Sequence, residues 1–200
     1  MSTKAMRILL TELGKAAACR LDRPAESAVV MEEFCRAMSD RVSRPIQLVF
    51  RSFPANIPVS GMRLDLGQRS IIVVEERAVP EAQLVILGHE LWHEEQGDSG
   101  HGTAGLSAAA RVLSHSKDAV RRAAEQILAS AEVPHEALLT ASARADSDDD
   151  HEVEAETFGL LFGREVRTWM TGRYAQGPVS AATVEGRINL SLSNRRRRIL

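Results

Sequence analysis

Long apolar runs are missing from this 200-residue chain. Nowhere does it contain the roughly 18 consecutive hydrophobic residues that cross a bilayer. Residues Met1 to Lys15 also lack the apolar stretch and small-residue cleavage site of a secretory leader. A cytoplasmic protein with no membrane partner is therefore expected. Cysteine is scarce: Cys19 and Cys35 are the only two, which excludes a disulfide framework, and both are expected to be buried thiols. Net charge is scarce as well. Twenty-five Lys and Arg against 27 Asp and Glu leave −2 at pH 7, which implies no general attraction to nucleic acid, and direct nucleic-acid binding is not expected. Charge is instead local, in an acidic block from Asp146 to Glu156 and a basic run from Arg195 to Arg198 that reads as a solvated tail. Internal repeats are absent.

What is present is the composition of a folded protein. Fractions of 44% hydrophobic and 26% charged residues are near globular averages and exclude a wholly disordered chain. The length suits one domain with a real core. Up to residue 42 the pattern is that of two helices separated by Pro24. The first carries Ile8, Leu9 and Leu13, and the second Val30, Phe34, Met38 and Val42 at four-residue spacing. Alternation then takes over, with Ile46, Leu48, Phe50 and, after a turn region from Pro54 to Gly61, Met62, Leu64, Leu66. Ser70 to Glu76 contains four consecutive β-branched residues and reads as a strand buried on both faces, joined to its predecessor by a hairpin at Gly67-Gln68. Pro80 suits the first turn of a helix that runs to about Gln96 and stops at Gly97. A helical segment is read over Leu106 to Ala131, then a polar passage to Asp150, then a helix to Met170 with Phe158, Leu161, Phe162, Val166 and Trp169 on one face.

The helix after Pro80 contains His89-Glu90-Leu91-Trp92-His93. Residues four apart stack on one helical face, so both imidazoles can converge on one zinc ion. Glu90 is one position round, beside the site, where its carboxylate can take the proton of an attacking water as general base. Two solvated histidines on a surface helix are the alternative, and apolar Leu84, Val85, Leu87 and Leu91 argue against it. Trp92 reads as core packing.

Zinc that keeps one open position needs a third protein ligand. A histidine six residues beyond His93 would mark the metzincin arrangement, but Ser99 is there and His101 falls too late. Glu152, Glu154 and Glu156 open the downstream helix. Glu152, Ala155, Glu156, Gly159 and Gly163 share one face, and three of these are small, as two helices holding one ion in common require. Glu152 is favoured as the ligand, with Glu156 one turn on as an acceptor that orients a ligand histidine. A helix cap competes, since Asp149 and Glu152 have capping-box spacing, and His151 is a rival ligand.

Two leading helices, a small sheet, the segment Ile86 to His93 and the later Glu152-Val153-Glu154-Ala155-Glu156-Thr157-Phe158-Gly159 together resemble the ImmA/IrrE-type metallopeptidases, over Val29 to Gly163. The resemblance implies an α+β, zincin-like fold with a small antiparallel or mixed sheet packed against the active-site helix. It also implies metal ligands at His89, His93 and Glu152, Glu90 as the catalytic base, and Zn2+ as cofactor. The expected activity is that of an intracellular zinc endopeptidase of narrow specificity, acting on a helix-turn-helix repressor or antitoxin. Its domain would span 1–171, with a helical insertion at about 98–148 that supplies partner recognition, and a loosely structured tail over 172–200. An extended substrate segment would pair with an edge of the sheet around Ile46 to Glu76. Glu156 departs from the family, which usually has Asn or Asp there, and so does the long connection between His93 and Glu152. His101, His135 and Tyr174 are all open as the oxyanion-stabilising residue. Two other readings of the same residues are a non-enzymatic regulator or toxin component that binds a partner, and a hydrolase of a non-peptide substrate.

Overall fold

Apolar stripes set the first two helices of the computed structural model, which describes residues 3–53, 59–97, 106–110 and 149–172. Helix α1 (Thr3–Ala18) turns Met6, Leu9, Leu13 and Ala17 inward. Ile8 does not belong to that stripe and is 49% exposed, because one residue is a 100° step round the helix. Helix α2 (Ser27–Val42) buries Val30, Phe34 and Met38 as its spacing predicts, together with Cys35. Cys19 differs from expectation: it is exposed. It lies two residues beyond Ala17, rotated away from the buried stripe, and its thiol donates to the Lys15 carbonyl at 3.3 Å.

Strands β1 (Ile46–Arg51), β2 (Val59–Asp65), β3 (Ser70–Glu75) and β4 (Leu106–Ala110) form one mixed sheet in the order β1-β3-β2-β4. β1 runs parallel to β3, with Ile46 opposite Ser70. The predicted hairpin joins β2 to β3 with Asp65 opposite Ser70, and Gly67 in its turn has φ +75°, a conformation open to glycine at little cost. β3 is buried from Ser70 to Val74, as a run without alternation requires. One correction falls here. Leu106 to Ala110, read as the start of a helix, is a strand that pairs antiparallel to β2, with Leu106 opposite Leu64. Helix propensity is a weak prior, and a ladder on the open edge of β2 satisfies the same backbone groups. β1 and β4 are consequently the two sheet edges among the described strands.

Ile46, Leu48 and Phe50 of β1 share a sheet face with Ile72 and Val74 of β3, and that face joins the helices in a single core. Helix α3 (Pro80–Glu95) lies on this face, entered through Pro80 and left through Gln96 and Gly97 at φ +55°. From Ile86 to Glu94 every residue of α3 is buried. Helix α4 (Asp149–Val166) packs along α3 and tightens into a 3-10 turn over Arg167–Trp169. Phe158, Phe162, Val166 and Met170 point into the core, with Phe34 set edge-on to Phe162 at 4.9 Å. Among the described residues no helix is long and apolar enough to cross a membrane. The rest of the 98–148 segment and the tail beyond residue 172 lie outside the described residues.

Candidate metal centre

Glycines bring α3 and α4 into contact. A Cβ on Gly88 would stand 2.7 Å from Cβ of Phe162 and 3.0 Å from Cα of Gly159. One on Gly159 would stand 2.6 Å from the carbonyl oxygen of Val85. Ala155, between Glu152 and Gly159, is fully buried. The small-residue face read from the sequence is thus the contact face of α4, and Gly88 is its unforeseen counterpart on α3.

At the N-terminal end of this contact, Nε2 of His89 and Nε2 of His93 are 3.1 Å apart. The Glu152 carboxylate faces both, with Oε2 at 3.4 Å from His89 and Oε1 at 3.5 Å from His93. Metal–ligand bonds of about 2.0–2.1 Å in a tetrahedron put ligand atoms about 3.3–3.4 Å apart. The donor separations fit that figure without any movement of the helices. Burial pushes the His89 imidazole down to about 4. Burial, and then the neighbouring His89, Arg63 and His151, push His93 down to about 3. Both rings are therefore neutral near pH 7, the form in which imidazole binds a metal. The imidazole side chains are 7% and 2% exposed, whereas Glu152 is 28% exposed, so the triad opens to solvent on its α4 side. His89, His93 and Glu152 form a triad that could hold a metal ion.

The rival ligands do not join the triad. His151 and Glu156 are exposed on α4, and among the described residues neither joins a group of potential metal ligands. The orienting role expected of Glu156 has no hydrogen bond to support it among the described residues. Glu152 faces the imidazoles rather than serving only its own helix terminus. Glu90 is fully buried on α3, and Trp92, 1% exposed, packs against Phe158 at 5.1 Å as core. His101, His135 and Tyr174 lie outside the described residues.

Sequence reasoning missed a buried charge network behind the triad. Glu94, which follows His93 and is inaccessible to solvent, accepts from Arg63 at 3.1 Å, from the Ser70 hydroxyl at 2.8 Å, and from Arg44. Arg44 also reaches Asp65 at 2.8 Å. Two cations and two carboxylates thereby tie the last turn of α3 to β2, β3 and the end of α2. Arg63 and Asp65 alternate with Met62 and Leu64 along β2, and alternation by itself leaves open whether their face is covered. The uninterrupted burial of β3 was the available signal, because a strand covered on both sides implies that its neighbour β2 is covered too.

Comparison with protein-family models, with curated proteins and with solved structures finds no match to this chain.

Proposed function

We propose that this chain is a cytoplasmic zinc-dependent endopeptidase of narrow specificity, with His89, His93 and Glu152 as metal ligands and Glu90 as general base. The observation that carries the reading is the convergence of two buried, neutral imidazoles and one carboxylate at separations of 3.1, 3.4 and 3.5 Å. Two nitrogens and one oxygen, open on one side, are a donor set of catalytic rather than structural zinc sites. When bound, zinc supplies Lewis-acid polarisation of the scissile carbonyl.

The chain's own residues do the rest. His89 and His93 are fixed by α3, buried from Ile86 to Glu94, and Glu152 by the glycine contact of α4, so the donors need no ordering before use. Glu90, one 100° step from His89, takes a proton from the attacking water and passes it to the leaving amine. The long His93–Glu152 connection supplies partner recognition, and an extended substrate segment adds to a sheet edge. Resemblance to the ImmA/IrrE-type peptidases supports a zincin-like fold and a helix-turn-helix repressor or antitoxin as the substrate, cut at one exposed linker.

A pair of variants tests the assignment. His89→Ala abolishes metal binding, measured by metal analysis of untagged protein, whereas Glu90→Gln keeps about one ion per chain and loses turnover. Co-expression with the cognate repressor yields one discrete fragment only when Glu90 is intact, and casein is cut poorly. Equal loss of zinc in both variants refutes Glu90 as the base. Rapid, unselective casein digestion refutes the narrow specificity.

A further inference from the structure

A cavity of about 660 Å³ lies between α1 and the last turns of α4, away from the metal triad. Leu161 and Trp169, which line it, are about 13 and 25 Å along the helix from Glu152 at 1.5 Å per residue. One wall is the α1 stripe Arg7, Leu10, Thr11, Gly14, Lys15 and Ala18, whose three- and four-residue spacings put them on one face. The floor is aromatic: the partly exposed Trp169 ring, backed by the fully buried Phe34 ring 5.2 Å behind it. Gly14 keeps it open: a Cβ there would be 3.7 Å from the Trp169 ring, so a longer side chain would enter the cavity.

The rim is cationic. Arg7, Lys15, Arg23 and Arg164 surround the cavity, and among the described residues Glu165 is the only carboxylate lining it, already held by Arg164 at 2.6 Å. Cζ of Arg23 lies over the Trp169 ring, 3.9 Å from its centroid. Arg7 and Lys15 have no carboxylate partner among the described residues. Glu12, the one acidic residue of α1, is turned to Arg41 of α2 instead. Cations with an apolar floor between them match a molecule whose head is negative and whose body is not.

We propose that this cavity binds a small anionic amphiphile, a molecule with a carboxylate, sulfonate or phosphate head and a flat or aliphatic body. Arg7, Lys15 and Arg23 take the head by charge-assisted hydrogen bonds, and Trp169, Leu161 and Leu10, which line the cavity, take the body. The volume is within the usual range of small-molecule sites, about 300–1,000 Å³. A cation is repelled by the rim, and a neutral molecule gains only the floor. The proposal does not depend on the metal triad or on peptidase activity.

The test uses the full chain at low salt with anilinonaphthalene sulfonate, an anionic aromatic dye whose emission rises in apolar surroundings. One saturable site is expected, with energy transfer from tryptophan. Decanoate below its micelle concentration displaces the dye, and decanol and decyltrimethylammonium are at least tenfold weaker. Gly14→Leu abolishes dye binding, and Arg7→Gln combined with Lys15→Gln weakens it at least tenfold, both with the thermal unfolding transition retained. If Gly14→Leu does not fold, the α1 double variant, altered at two exposed positions, decides alone. Equal displacement by decanol and decanoate overturns the charge assignment, and dye binding unaffected by the variants overturns the location. Displacement by an acidic peptide but not by decanoate overturns the small-molecule reading in favour of a peptide surface.

Discussion

Gly159→Ala probes the contact on which the candidate metal triad depends. The added Cβ meets the Val85 carbonyl oxygen at 2.6 Å and the His89 backbone nitrogen at 3.2 Å. Both are backbone atoms of α3, so no side chain can rotate away, and relief requires the helices to part. Restoring ordinary contact at 3.4 Å from 2.6 Å opens a gap of about 0.8 Å, enough to forfeit about a quarter to a half of a dispersion contact along the interface. Overpacking of this kind costs about 1–3 kcal/mol, set against about 1 kcal/mol gained from alanine's helix propensity. Gly14→Ala isolates the second effect, since its methyl meets only the Trp169 ring at 3.7 Å. Gly14→Ala is expected to stabilise by about 0.4–1 kcal/mol, and Gly159→Ala to be about 1–3 kcal/mol less stable than Gly14→Ala. Glu152 is two turns from Gly159 on the displaced helix, so zinc affinity falls about 10-fold or more, as when the support of a metal ligand is disturbed. Urea unfolding and chelator competition measure the two quantities. A Gly159→Ala protein as stable as Gly14→Ala, with unchanged zinc affinity, refutes the close approach.

Three further outcomes are expected. Glu152→Ala weakens zinc binding far more than Glu154→Ala or His151→Ala; an equal loss of stability, about 0.5–2 kcal/mol, in apo and loaded protein with affinity intact would instead mark a cap. Glu94→Ala leaves Arg63, 2% exposed, as a charge stripped of its main partner and costs about 3–5 kcal/mol in urea unfolding, whereas Glu12→Ala, in an exposed pair with Arg41, costs about 1 kcal/mol or less. The Arg77 guanidinium, with backbone N–H groups of Arg77 and Phe53, holds the Glu75 carboxyl down to about 2 against burial. Its folded value is below its unfolded one, so its contribution is complete above the ordinary carboxyl range near 4.5 and is lost as pH falls towards 2. In a thermal scan against pH, Arg77→Gln should flatten that acid limb, and an unchanged limb would show that the pair contributes nothing to acid stability.

Legibility followed the strength of each periodic signal. Val30, Phe34 and Met38 carry one apolar stripe, and α2 could be read from them directly. Gly67 and Pro80 mark a hairpin and a helix start through backbone chemistry that does not depend on the fold. The His89–His93 pair and the small face of Ala155, Gly159 and Gly163 were legible because both are helical spacings. Leu106 to Ala110 was not, since strand formation there depends on an open edge of β2 supplied by a distant part of the chain. Nor was the Glu94, Arg63, Arg44 and Asp65 network, whose residues come from α3, β2 and the end of α2. Alternation says which side of a strand a residue occupies, and tertiary packing decides whether that side is wet.

Helix α3 has no solvent face along its histidine-bearing half, and this constrains which ions the triad can accept. A helix wrapped by α2, the sheet and α4 cannot shift by a turn or rotate to enlarge a coordination shell. Calcium, which takes six to eight oxygens, and magnesium, which demands a near-ideal octahedron, would find one carboxylate and two nitrogens held at the spacing of a small tetrahedron. Zinc and its borderline neighbours in the first transition row suit such donors, and by intrinsic affinity copper would bind ahead of them. A rigid cage of this kind discriminates sharply against hard ions and poorly among soft ones. Within that group, an ion held by the triad would be set by the supply of free metal where the chain folds.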